Sequence, residues 1–292
     1  MNDESVRRIK RQWQSQPTVE GAGVHLYRAF GFREVPAMDP FLLLDDFHSE
    51  NPAEYRQGFP WHPHRGIETI TYVLDGDVEH GDSMGNQGLI SGGDVQWMTA
   101  GSGIIHQEMP QGDGRGRLRG FQLWANLPAR LKMMDPRYRE VRQADIPVVA
   151  TADGATVKVV AGEVAGVRGP VQEIVTDPRY LDVSLPSGNT FTLPIPRDHT
   201  LFAYVFEGEG LFDPASEAAP ASSEGAFILY AGGGDAVRVR TENRAVRFLL
   251  VSGRPIGEPV AWYGPIVMNT QEELKTAFQE YEKGTFVKKG DQ

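Results

Sequence analysis

The chain has 292 residues, 40% of them hydrophobic and 23% charged, with a formal net charge of −10 at pH 7; that length accommodates two ordinary domains with a sizeable core in each. An acidic balance argues against wide, sequence-independent contact with nucleic acid, which works by neutralising phosphates. The absence of cysteine excludes disulfides, thiolate metal sites and thiol nucleophiles, so any metal must bind through nitrogen and oxygen.

The N-terminus, MNDESVRRIKRQWQSQPTVEG, lacks the apolar segment of a secretory signal. No apolar run approaches the roughly 20 residues that cross a bilayer, which points to a cytoplasmic chain without a membrane partner. The one dense basic cluster, RRIKR at Arg7–Arg11, reads as a solvated terminal segment. Scattered glycine (33) and proline (20) suit many short strands joined by turns.

Two stretches in the first half carry chemistry. FPWHPHRGIETITYVLDG, from Phe59 to Gly76, places His62 and His64 one residue apart; GSGIIHQEMP, from Gly101 to Pro110, repeats that gap with His106 and Glu108. Side chains at i and i+2 of an extended strand share a face, with Cα atoms about 6.5–7 Å apart, so two imidazoles so placed can converge on one ion. Pro63 favours the extended backbone this needs. Neighbouring strands would thus present three nitrogens and one carboxylate to a single divalent cation. Glu68 shares the parity of the histidine pair but lies roughly 13 Å beyond His64 along a straight strand. We therefore assign Glu108 as the oxygen ligand and leave Glu68 as a group supporting the ligands. His25, His48 and His80 have no partner at ligand spacing and receive no role.

An internal repeat sharpens the case. YVLDGD at Tyr72 recurs as YVFEGE at Tyr204, and SGGDVQWMTAGSG at Ser91 as SEGAFILYAGGGD at Ser223, both at an offset of 132. Gly76, Gly93 and Gly101 fall in register with Gly208, Gly225 and Gly233, which suggests equal backbone demands such as positive φ. We expect two similar β-modules divided near RQADIPVVATADG (Arg142–Gly154), spanning 1–145 and 146–292. At the same offset the four candidate ligands become Pro194, Pro196, Arg238 and Arg240. Proline has no coordinating side chain and a guanidinium keeps its proton, so the second module lacks the site. His199, out of register, reads as structural. Near the C-terminus, Thr270 and Glu273 form a capping box. Leu274, Ala277, Phe278 and Tyr281 trace the apolar stripe of a helix that Gly284 can end, packed against a sheet.

MDPFLLLDDF (Met38–Phe47), GFPWHPHRGIETITYVLDG (Gly58–Gly76), GDVQWMTAGSGIIHQEMP (Gly93–Pro110) and GPIVMNTQEELKTAFQEY (Gly264–Tyr281) together resemble the pirin family of the cupin superfamily over nearly the whole chain. The resemblance implies an all-β bicupin: two antiparallel jelly-roll β-barrels with a C-terminal helix, the first holding one metal ion. It carries the ligand roles onto His62, His64, His106 and Glu108, in agreement with the spacing. Fe(II) leads on family grounds, while Mn, Co, Ni and Cu also suit such ligands. It implies quercetin 2,3-dioxygenase-like chemistry, in which a flavonol and O2 react with release of carbon monoxide and Glu108 doubles as general base. It also leaves open a second role, as a metal-dependent, redox-sensing regulator acting through a protein partner.

Overall fold

The computed structural model describes residues 5–213 and 220–288. It forms two compact units, and these are not the consecutive halves 1–145 and 146–292. One, the N-unit, joins Gln16–Gln143 to Ile256–Gln292; the other, the C-unit, joins Ala144–Pro255 to Met1–Ser15. The crossover at 143/144 lies inside the expected boundary stretch, but the two ends of the chain change sides.

Hydrogen bonding explains the first exchange. Ile9–Gln14 extends the main sheet of the C-unit by pairing with Ala226–Tyr230. Arg7 is buried, and its guanidinium donates to the carbonyls of Gly234 (3.0 Å), His199 (2.8 Å) and Pro196 (2.6 Å). Burial lowers the Arg7 pKa, against the attraction of Asp198, and the three acceptors compensate the loss of water. The basic cluster is therefore not a solvated arm. Lys10 and Arg11 are exposed, while Arg7 anchors the strand.

Each unit is built of open antiparallel sheets. In the N-unit a seven-stranded sheet runs, in spatial order, Arg137–Val141, Val95–Thr99, Ile67–Asp75, Leu118–Asn126, Phe41–Ser49, Val24–Phe30 and Gln16–Glu20. A four-stranded sheet faces it, ordered Phe59–His64, Ile104–Pro110, Val78–Asp82 and Gln87–Ile90. Val24, Leu26, Phe47, Val73, Val78 and Leu118 pack between the two. At about 25 cal/mol per Å² of apolar area removed from water, such interleaving holds the pair together.

The C-unit repeats the plan with a large sheet and a two-stranded ribbon, Thr190–Pro194 with Ala236–Arg240. That ribbon occupies the place that the repeat assigns to the two ligand strands. The glycine register also holds in the backbone: φ is +94° at Gly93 and +83° at Gly225, and in both places a side chain would be strained.

The helix Gln271–Glu282 starts with the expected capping box. Leu274 and Ala277 pack not on a large sheet but on a hairpin of Ala261–Tyr263 and Ile266–Met268, with Phe286. This C-terminal segment forms part of the N-unit.

Candidate metal centre

Antiparallel pairing sets His106 directly opposite His62, and Ile104 opposite His64. A bulge follows His106, and Glu108 pairs with Phe59 on one side and His80 on the other. The cross-strand neighbours carry their rings to one place. Ring centroids lie 4.3 Å apart for His62 and His106, 4.9 Å for His62 and His64, and 5.0 Å for His64 and His106. One ring nitrogen from each histidine lies within 4.8 Å of the other two.

The protonation pattern follows from the partners. His62 Nδ1 donates to the Pro60 carbonyl at 2.8 Å, and His64 Nδ1 to the Pro265 carbonyl at 3.0 Å. A carbonyl only accepts, so both Nδ1 atoms carry hydrogen and both Nε2 atoms present lone pairs. Those two Nε2 atoms face each other at 3.1 Å. Burial lowers the His62 pKa, and burial with the nearby His62 ring brings His64 down to about 3. Neither ring therefore takes the extra proton that would turn the contact into a hydrogen bond. His106 is fully buried, and neither of its ring nitrogens has a hydrogen-bond partner. Burial, then the His64, His62 and His80 rings, holds it well below its ordinary pKa. Three neutral imidazoles with converging, unpaired lone pairs fit a cation, because left alone they carry the cost of buried polar atoms without partners.

Glu108 stands beside this cluster, outside the group of three. Its Oε1 accepts from Thr71 Oγ1 at 2.8 Å and its Oε2 from Gln122 Nε2 at 3.1 Å. Thr71 and Gln122 are direct cross-strand partners in the facing sheet, and they tie the two sheets together at the site. The sequence flagged neither.

Glu68 is placed elsewhere. It alternates with Thr71 to the opposite face of Ile67–Asp75 and accepts from Thr99 Oγ1 at 2.7 Å. It therefore does not support the ligands from Thr71's side of the sheet. His80, given no role from sequence, lies with its ring 5.6 Å from His106 and stacks on Tyr138 at 4.9 Å. The signal available was Asp82 two residues on, whose Oδ2 sits 3.4 Å from His80 Nε2.

The centre opens into a cavity of about 780 Å³ within the N-unit. His62, His64 and Glu108 line one end. Leu26, Leu43, Phe47, Val78, Leu118 and Trp124 supply apolar wall, and Trp262–Pro265 of the C-terminal segment closes one side. The edge of Trp124 meets the His64 ring at 5.0 Å. A largely apolar, concave space with a few convergent polar groups is the usual form of a small-molecule site.

Comparison with known proteins agrees with this architecture. The pirin family model matches residues 23–125, and the pirin C-terminal cupin domain matches residues 180–287. A pirin-like protein from Caulobacter vibrioides is 47% identical over 282 residues, 96% of this chain and 99% of that one. Human pirin is 38% identical, covering 95% and 93% of the two chains. The crystal structure of a quercetin 2,3-dioxygenase from Acinetobacter baumannii superposes with a TM-score of 0.87 at 32% identity, covering 96% of this chain and 98% of that one. With both halves matched and relatives aligned along almost its entire length, the chain belongs to the pirin family of cupin proteins.

Proposed function

We propose that this chain is a metal-dependent dioxygenase that opens the ring of a flavonol-like aromatic with O2, releasing carbon monoxide. The observation that carries the reading is the cluster of three histidines with ring nitrogens within 4.8 Å of one another, those of buried His106 without a hydrogen-bond partner, beside a largely apolar cavity that His62 and His64 line. His62, His64 and His106 would hold one divalent transition metal, Fe(II) first among the candidates, with Glu108 as the oxygen ligand. When bound, such an ion acidifies a coordinated hydroxyl and brings O2 within reach of an electron-rich ring.

The residues around it manage position and protons. Apolar walls accept the flat rings. Glu108 accepts the substrate's hydroxyl proton at a carboxylate oxygen. Thr71 has one hydroxyl hydrogen and two acceptors at 2.8 Å, Glu108 Oε1 and Gln122 Oε1. With Glu108 ionised, the hydroxyl donates to Glu108. With Glu108 protonated, the acid donates to Thr71, which turns its hydrogen to Gln122. A proton can thus arrive and leave while Thr71 and Gln122 Nε2 both stay bonded to Glu108.

The test is anaerobic loading with Fe(II), then addition of quercetin and oxygen. The reading expects loss of the flavonol absorbance with release of about one carbon monoxide per ring opened, abolished in His62→Ala and in Glu108→Ala. An unchanged rate in both variants, or no turnover with any first-row metal, contradicts it.

A further inference from the structure

The end of the cavity away from the histidines is built from a different chemistry. In the seven-stranded sheet, Thr71 pairs with Gln122, Gln122 with Asp45, and Asp45 with Arg28. All four side chains line the cavity. Three strand spacings of about 4.8 Å place Arg28 roughly 15 Å from Thr71. A row of polar groups therefore crosses an otherwise apolar wall, from Glu108 beside the histidines to Arg28 and Glu20.

We infer that the Glu20–Arg28–Asp45 end of this cavity is a glycosyl-binding subsite, so that the ligand is a hydroxylated aromatic bearing a sugar. This rests on the reading that an aromatic head enters toward the histidines, and it names what lies behind that head. Arg28 Nε and Nη2 each reach an oxygen of Asp45 at 2.8 Å, and Nη1 reaches Glu20 at 2.8 Å. The three groups form a planar, prearranged set of acceptors and donors. Asp45 is buried, yet its two bonds from Arg28 use only half of the roughly four acceptor positions of a carboxylate. Burial pushes its pKa up to about 6 despite Arg28, the mark of a carboxylate short of donors. Uncharged hydroxyls supply donors at no charge cost.

Charge selects further. Two carboxylates around one guanidinium leave the set net negative, so an anionic tail is repelled. The guanidinium is already neutralised and does not call for an anion. Aromatic faces stand at the rim: Phe32 is 68% exposed, Tyr263 is 70% exposed, and both line the cavity. Phe32 meets Trp262 at 5.5 Å. Arg28 folds back over Gly31, where a Cβ would lie 3.1 Å from Arg28 Cδ, which keeps Arg28 beside Phe32. An exposed ring, Phe32, next in sequence to the glycine that Arg28 covers, suits a sugar, whose C–H face stacks while its hydroxyls bond in plane.

The test compares ligands on Zn(II)-loaded protein, where no oxidation occurs, by quenching of tryptophan fluorescence. The probes are quercetin, its 7-O- and 4′-O-glucosides, which keep the 3-hydroxyl free, and the 4′-O-glucuronide. The inference expects one glucoside to bind at least tenfold tighter than quercetin and the glucuronide to bind weaker than the glucoside. Asp45→Asn and the milder Glu20→Gln should cut the glucoside advantage to within about threefold. Glucosides that bind no tighter than quercetin, or that do not bind, overturn the subsite in the wild-type protein, whatever the variants do. Tight glucoside binding without turnover of any flavonol by the Fe(II) form would instead count against the dioxygenase reading alone.

Discussion

His62, His64 and His106 are worth most to the molecule as neutral rings, and this fixes a pH dependence. All three pKa values are lowered in the fold, His64 to about 3, whereas an unfolded histidine titrates near 6.5. The unfolded chain therefore binds more protons once the pH drops below about 6.5. Stability is fully present above that value and is lost as pH falls toward 3, by up to about 1.4 kcal/mol per unit for each ring. Asp45 and Glu68 work in the opposite sense: burial raises both, which favours the fold at low pH, a contribution that for Asp45 is lost as pH rises through about 6, but two carboxyls stand against three imidazoles. Urea midpoints of metal-stripped protein should fall between pH 7.5 and 5, and a flat profile would contradict the neutral-cluster description. At the same scale, Thr71→Val removes the hydroxyl that bonds Glu108 while roughly keeping volume. Turnover should fall about tenfold or more, within the range attributed to positioned acid–base groups, with metal content unchanged. A variant with full activity would show that Thr71 only packs.

The C-terminal segment shows how an element far along the chain completes the site. Pro265 supplies the carbonyl that orients His64, and Val267 bonds back to the carbonyl of Arg65 at 3.1 Å. Lys132 is buried and donates to Gly66 O (2.8 Å), Asn126 Oδ1 (2.7 Å) and Val267 O (3.0 Å), tying the turn after His-Pro-His to that segment. Gly66 allows the approach: its φ is +78°, and a Cβ would sit 2.0 Å from the Val267 oxygen. Lys132→Met takes the ammonium donor from Asn126 Oδ1 and Val267 O, while Gly66 O keeps the Leu127 amide at 3.3 Å; it should cost about 2 kcal/mol, with metal affinity falling too, and a loss below about 0.5 kcal/mol would show that the acceptors find other partners. Thr270→Ala, which removes the helix cap, should cost about 1 kcal/mol and leave metal content alone. The helix and its cap were legible because both depend on residues three or four apart. The closure of the N-unit by residues after 255 depends on contacts such as His64 with Pro265, about 200 residues apart, which no local pattern carries.

Over the whole molecule, the repeat told more about the fold than about its interior. Module number, the division near residue 143 and the positive-φ glycines all follow from local backbone demands that recur in sequence. The exchange of the chain ends does not, because Arg7 finds its acceptors only in the folded C-unit. The repeat also bears on why the proposed centre has no counterpart among the described residues of the C-unit. In the C-unit ribbon, Phe191, Leu193, Val237 and Val239, with Ile195 just after it, fill the core, while Pro194 and Arg240 are exposed. Relative to the N-unit, the inward parity has moved by one residue, and such a slip turns every side chain to the other face. Restoring histidines at 194, 196 and 238 with glutamate at 240 should therefore leave the metal-to-protein ratio at about one; a ratio near two would refute the parity argument. The clustering of His62, His64 and His106 was legible from the i, i+2 spacing, whereas Thr71, Gln122 and His80 became visible only once strands were paired. The most direct measurement is an anomalous-scattering crystal structure of the metal-loaded protein. It should show one peak, within about 2.0–2.3 Å of nitrogens from His62, His64 and His106 and of a Glu108 oxygen. A peak bonded to other residues, or no peak at these histidines in protein that carries metal, would contradict the account.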